Sequence, residues 1–264
     1  MNFIPITGDI SLSPVTIRGP TAIQSSQQPW VELSCSFSFE VMEHKQLDLK
    51  WYFAEQEEPF LQWIPSSGRK PQMIGSTFRG RLIAQHEVSN SSSSYKTEQV
   101  IRVMRPNIHL SGVYTCKVST FTQEDATSHQ LVIFEPGAGP FLTYSELHTG
   151  HLNLSCSVSQ VFPEPQLHLS WHSESSLSES SEVSTITVRR GLMYDITVIS
   201  LLPPTLAHET VFSCSMNIPN TQFSLKRKTM YSPVIRDMAR ISQVSCGLKI
   251  NYEVLVLMSV SMIM

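Results

Sequence analysis

Short stretches of this chain alternate apolar and polar residues, and each such stretch predicts a β-strand. In Val31-Glu32-Leu33-Ser34-Cys35-Ser36-Phe37 every second residue is apolar, which assigns Val31, Leu33, Cys35 and Phe37 to a core face. Leu47-Asp48-Leu49-Lys50-Trp51-Tyr52-Phe53 repeats the pattern, with Leu49, Trp51 and Phe53 inward and Lys50 and Tyr52 outward. Residues 113–119 follow suit: Tyr114, Cys116 and Val118 point in, Thr115 and Lys117 out. Leu131-Val132-Ile133-Phe134 supplies a closing strand. No segment carries a helical period of useful length, so the chain is expected to be all-β.

The alternation falls into two blocks. Glu135-Pro136-Gly137-Ala138-Gly139-Pro140 separates them as a short hinge, punctuated by Gly and Pro and too short for large independent motion. Beyond it, Leu152, Leu154 and Cys156 are assigned inward, and Asn153 and Ser155 outward. The Ser/Glu-rich stretch 173–184 is expected to be an exposed loop. A length of 264 residues accommodates two domains of roughly 100 residues each. The expected organisation is an N-terminal segment 1–14, domains over 15–136 and 137–233, and a tail 234–264.

Cysteine and tryptophan positions sharpen this outline. Cys35, Trp51 and Cys116 form one set, the last inside Ser111-Gly112-Val113-Tyr114-Thr115-Cys116, and Cys156, Trp171 and Cys214 form a second. Two cysteines flanking a tryptophan, with an aromatic two residues before the second cysteine, resemble the immunoglobulin superfamily. That resemblance implies two tandem immunoglobulin-like β-sandwiches. It implies disulfides Cys35–Cys116 and Cys156–Cys214 between sheets, Trp51 packed on the first, and Tyr114 tying down a corner. Spacings of 81 and 58 positions suit a variable-type sandwich followed by a smaller constant-type one without the extra strands. The added variable-type strand is expected within residues 59–65, and residues 90–94 form a polar loop. Phe212 stands where the corner tyrosine is usual and cannot donate its hydrogen bond. Phe162-Pro163 is a candidate cis bond.

At a finer level Lys50-Trp51-Tyr52, Pro59-Phe60-Leu61-Gln62-Trp63-Ile64-Pro65 and Ser111-Gly112-Val113-Tyr114-Thr115-Cys116-Lys117-Val118-Ser119 resemble the insect beaten-path family of neuronal surface proteins. The chain departs from that pattern at Leu61, Gln62 and Lys117. Phe162-Pro163-Glu164-Pro165 is similar to the constant domains of nectins and butyrophilins. The beaten-path resemblance implies recognition of a second immunoglobulin-type cell-surface protein, of the sidestep type, in cell adhesion or axon guidance. The alternative is a soluble immune-type or extracellular-matrix module with no neuronal role. In variable-type domains the sheet carrying Trp51 and Cys116 is open on its outer face. Lys50, Tyr52, Gln62, Trp63, Thr115, Lys117 and Ser119 are therefore the expected partner-binding residues, and a homophilic dimer fits the same face.

Other chemistry changes little. A net charge of −3 gives no nucleic-acid footprint. No Gly-x-Ser-x-Gly elbow, phosphate loop or His-Glu-x-x-His motif occurs, so no enzyme, cofactor or catalytic residue is expected. His168 and His172 are poor metal ligands, since four positions along a strand span about 13 Å, and His148 and His151, spaced His-x-x-His, sit near a turn with no acidic or thiolate partner nearby. Asn90-Ser91-Ser92 and Asn153-Leu154-Ser155 are N-glycosylation sequons. Lys226-Arg227-Lys228 reads as a solvated edge strand, in competition with a heparan sulfate or membrane contact. Cys246 is the fifth cysteine, open to an interchain disulfide, a free thiol or an anchor signal. The apolar residues 254–264 are short of the ~20 that span a bilayer, so membrane anchoring and secretion both stay open. Paired cysteines imply an oxidising, extracellular or cell-surface location. No signal peptide is visible after Met1, and a leader upstream is expected.

Overall fold

A strand with apolar residues at alternate positions has one face to bury, and this chain buries such faces in two β-sandwiches. The computed structural model describes residues 12–40, 47–90, 94–121, 123–173, 176–179, 183–203 and 209–232. The first sandwich runs β1 (Thr16–Arg18), β2 (Ala22–Gln24), β3 (Trp30–Glu40), β4 (Asp48–Phe53), β5 (Leu61–Trp63), β6 (Gln72–Met73), β7 (Leu82–Asn90), β8 (Ser94–Met104), β9 (Gly112–Ser119) and β10 (Glu124–Phe134). The second runs β11 (Ala138–Glu146), β12 (Leu152–Val161), β13 (Gln166–Ser173), β14 (Ser176–Glu179), β15 (Val183–Arg190), β16 (Met193–Leu202), β17 (Thr210–Asn217) and β18 (Ser224–Tyr231).

In the first sandwich a four-stranded sheet, β1-β3-β8-β7, faces a six-stranded one, β2-β10-β9-β4-β5-β6. β2 runs parallel to β10, and β5 and β6 extend the sheet beyond β4. These are the extra central strands that the long cysteine spacing calls for. Cys35 and Cys116 join the sheets with Cα atoms 6.4 Å apart. Trp51 is fully buried beside them, and its indole N–H donates to Gln99 Oε1 at 2.7 Å. Phe53, Phe60, Phe78 and Tyr114 pack as an aromatic cluster, with Phe60 and Phe78 centroids 4.3 Å apart. The Tyr114 hydroxyl donates to the Leu110 carbonyl at 2.8 Å, and burial pushes its phenol well above the ordinary tyrosine value.

The second sandwich pairs sheets β11-β12-β16-β15 and β14-β13-β17-β18. Cys156 and Cys214 join them with Cα atoms 6.3 Å apart. Phe212 is fully buried and packs against Tyr144 and Tyr231, filling the corner by ring contact alone. The Phe162–Pro163 and Gly139–Pro140 bonds are cis.

Two expectations need correction here. Residues 173–184 are not one loop: Ser176–Glu179 is β14, paired to β13, and β15 begins at Val183. Both are sheet-edge strands, and all eight residues of β15 are exposed, so β15 carries none of the buried alternation that marks a strand in sequence. β14 is also one strand more than the short cysteine spacing suggests.

The hinge is pinned to the second sandwich. Glu135 and Phe162 exchange two backbone hydrogen bonds, of 2.8 and 2.9 Å, and β11 starts three residues later. Gly137 has φ +59°, and a Cβ there would run into the Ser159 carbonyl, so only glycine fits this approach. Val132 and Phe134, on β10, belong to the second core, and Phe134 meets Phe223 at 5.3 Å. Cys246 and the apolar stretch 254–264 lie outside the described residues.

Candidate recognition face

The outer face of the six-stranded sheet follows from the inner one. Because Leu49, Trp51 and Phe53 are buried, Asp48, Lys50 and Tyr52 must point away from the core. The same parity turns Thr115, Lys117 and Ser119 of β9 outward between buried Tyr114, Cys116 and Val118. Register then brings side chains together: Asp48 lies opposite Ser119, Lys50 opposite Lys117, and Tyr52 opposite Thr115. On the flanks Gln62 of β5 lies opposite Lys50, and Ser119 opposite Glu124 of β10.

Two lysines side by side on adjacent strands repel, and each is neutralised by a carboxylate. Lys50 Nζ lies 2.9 Å from Asp48 Oδ2, while Lys117 Nζ lies 2.6 Å from Glu124 Oε1. Gln62 donates to both Asp48 oxygens, at 2.9 and 3.0 Å, and the Ser119 hydroxyl donates to Glu124 at 3.2 Å. The hydrogen bond that the Lys50 ammonium donates to Asp48 leads the causes that raise the Lys50 pKa above the usual lysine range. The Lys117 ammonium holds the Glu124 carboxyl below the usual carboxylate range. The result is a strip of two adjacent ion pairs, half-exposed and tied by neutral donors. Thr115 and Ser128 continue it with a hydroxyl pair at 2.8 Å.

Phe121 stands at the rim of this strip. It sits in the turn joining β9 to β10 and is 83% exposed, the most open of the large apolar side chains among the described residues. The turn is closed by Thr120 N–H donating to the Gln123 carbonyl at 2.8 Å and Gln123 N–H to Thr120 Oγ1 at 3.1 Å. An aromatic ring held in water on a short hairpin is available for contact without rearrangement of the sheet.

Six of the seven residues assigned to the face in sequence share it: Lys50, Tyr52, Gln62, Thr115, Lys117 and Ser119. Trp63 does not. It lies on β5 two residues from buried Leu61, is 3% exposed, and stacks on His86 with centroids 4.3 Å apart. Successive strand residues cannot share a face, so with Gln62 outward Trp63 must enter the core. Asp48, Glu124 and Phe121 were absent from the sequence assignment. Asp48 was legible, having the parity of Lys50. Glu124 needed β10 to be extended back from residue 131, and an exposed loop aromatic leaves no periodic signal.

Elsewhere, Asn153 lies on β12 with buried Leu152 and Leu154 on either side, which turns its amide outward. The expected 90–94 loop is narrowed at both ends, since Asn90 ends β7 and Ser94 begins β8; residues 91–93, with the rest of the Asn90 sequon, lie outside the described residues. His168 and His172 both lie on β13, while His148 lies in the turn between β11 and β12 and His151 directly precedes β12. Lys226, Arg227 and Lys228 are exposed on β18, the last strand of its sheet.

No protein-family model and no curated protein matches this chain in sequence. Among solved structures it is similar to the crystal structure of bovine butyrophilin, with a TM-score of 0.56 and 15% sequence identity. The match covers 83% of this chain and 99% of that chain. Such a likeness is one of fold, and the fold is immunoglobulin-like and all-β.

Proposed function

We propose that this chain is an extracellular or cell-surface recognition protein whose first sandwich binds another immunoglobulin-type surface protein. The contact surface is the outer face of the six-stranded sheet. One observation carries the reading: an open face bearing two adjacent, half-exposed ion pairs, with Phe121 83% exposed at its rim. Paired charges of both signs favour a partner of matching pattern and penalise others, and an exposed aromatic supplies contact area. Two intersheet disulfides suit an oxidising compartment. The similarity of Lys50-Trp51-Tyr52 and the Ser111–Ser119 run to the beaten-path family points to a sidestep-type partner and a role in adhesion or axon guidance. A second copy of this chain fits the same face, since the strip carries both signs.

The test is a binding screen of the secreted ectodomain against immunoglobulin-type surface ectodomains, this chain included. A specific binder should lose about tenfold or more in affinity with Phe121→Ala. With Lys117→Glu, which sets a second acid beside Glu124, association should slow and lose its salt dependence. A binder indifferent to both variants places the contact elsewhere. Binding confined to matrix or immune-type proteins removes the neuronal role.

A further inference from the structure

The second sandwich carries an outer face of opposite character. On sheet β11-β12-β16-β15 buried Leu154, Cys156 and Val158 alternate with outward Asn153, Ser155 and Ser157. Register places Leu201 opposite Asn153, Ile199 opposite Ser155, and Thr197 opposite Ser157. Thr197 in turn faces Ile186 of β15, and Phe141 of β11 lies opposite Ser157. Phe141, Ile186, Val188 and Leu201 are each about half exposed. The charged residues at outward positions of these strands are Arg190 and Asp195, paired with each other at 3.0 Å at one end. Four strands ~4.8 Å apart and about eight residues long make a face of roughly 500 Å² on which these exposed apolar side chains stand among Ser, Thr and Asn, with charge confined to that one end.

What covers this face is written into its own sequence. Asn153-Leu154-Ser155 is a sequon whose Asn and Ser both point out of the sheet while Leu154 points in. The amide stands in one row with Ser145 and Leu201, at the end of the face remote from the Arg190–Asp195 pair, where a glycan can fold back along the strands. We infer that Asn153 carries an N-linked glycan that lies over this sheet and keeps it from associating with other surfaces. A neutral, hydroxyl-rich sugar chain suits the ground beneath it: rows of Ser and Thr hydroxyls to bond, with Leu201, Ile199 and Phe141 for its C–H faces. From Asn153 to the Ser157 row is about 13 Å along the strand, within the sweep of a branched oligosaccharide. The same chain crowds the free edge of β15, whose regular backbone has only Arg189 and Arg190 to deter strand pairing.

The chemistry is group transfer from a polyprenyl-diphosphate-linked oligosaccharide in the secretory pathway. A bond forms between sugar C1 and Asn153 Nδ2, the C1–O bond to the diphosphate breaks, the amide gives up one proton, and the lipid diphosphate leaves. Nothing in this assignment depends on which partner the first sandwich binds.

The test uses the full chain secreted from eukaryotic cells behind a supplied leader, with site-by-site peptide mass spectrometry and light scattering. Asn153 is expected to be occupied and the protein to be free of association through this face. Asn153→Gln and Ser155→Ala should each abolish that glycan and give at least about tenfold tighter self-association, reversed by adding Ile186→Lys. Enzymatic removal of the glycan from the already folded protein should do the same, which separates shielding from any effect on folding. An unmodified Asn153 in the secreted protein overturns the inference and leaves a second copy of the chain as occupant of the face. Protein that stays as dispersed after deglycosylation as before overturns the shielding role.

Discussion

The two sandwiches share a scaffold and differ in what they show to water. Each has a disulfide between its sheets and an aromatic two residues before the second cysteine. The first turns outward a strip of paired charges, Asp48–Lys50 beside Lys117–Glu124, on a six-stranded sheet. The second turns outward Ser, Thr and aliphatic residues around a sequon. Burial dictates only the inward parity of a strand, so the outward parity is free to vary. A charged, patterned face offers specificity at low risk of non-specific association, whereas an uncharged one needs cover.

The disulfides offer the largest test of what the sandwiches share. Removing Cys35 and Cys116 together opens an 81-residue loop, and removing Cys156 and Cys214 opens one of 58 residues. Loop entropy predicts a loss of about 4 kcal/mol in either case, so urea unfolding should show near-equal damage to the sandwich concerned. Grossly unequal losses would mean that one core does not rely on its bridge.

The corner aromatics should separate the two. Phe212→Ala empties a fully buried site between Tyr144 and Tyr231 and should cost about 3 kcal/mol. Tyr114→Phe keeps the ring and removes only the hydrogen bond to the Leu110 carbonyl, costing about 1 kcal/mol. If Tyr114→Phe proved neutral, the second sandwich's lack of that bond would carry no consequence.

The pH dependence of the charged strip is smaller still. Glu124 has a lowered folded value, so its contribution is present above the ordinary carboxylate range and fades as pH falls through that lower value. Lys50 has a raised one, so its contribution is present below the ordinary lysine range and fades as pH rises through the raised value. Both pairs are partly solvated, and thermal unfolding of the first sandwich should be nearly flat between those limits. Neutralising Lys117 should abolish the acid-side change, and nothing comparable should appear for the second sandwich's uncharged face.

The central strands were legible because burial stamps a period of two on them: Leu33, Cys35 and Phe37, or Leu49, Trp51 and Phe53, announce their inward face. β5 is only three residues long, too short for alternation to fix parity, and Trp63 was placed on the wrong side. β15 is exposed along its whole length and buries no period, so its start was read together with β14 as a serine-rich loop. Phe78 joins the core from the turn ahead of β7, where no period exists to reveal it. Of the recognition face, the outward residues of β4 and β9 could be read in sequence. Their pairing with Asp48 and Glu124 required the register across three strands.

The comparison meets its most direct test in a glycan moved from one face to the other. Lys117→Asn creates an Asn-Val-Ser sequon in the middle of the charged strip, using Val118 and Ser119 as they stand. With occupancy verified by mass, binding to the partner found in the ectodomain screen should be lost by about a hundredfold or more, while the native sequon at Asn153 leaves it intact. Full binding by the Lys117→Asn protein with its new glycan in place would contradict the account and move the recognition surface off this sheet.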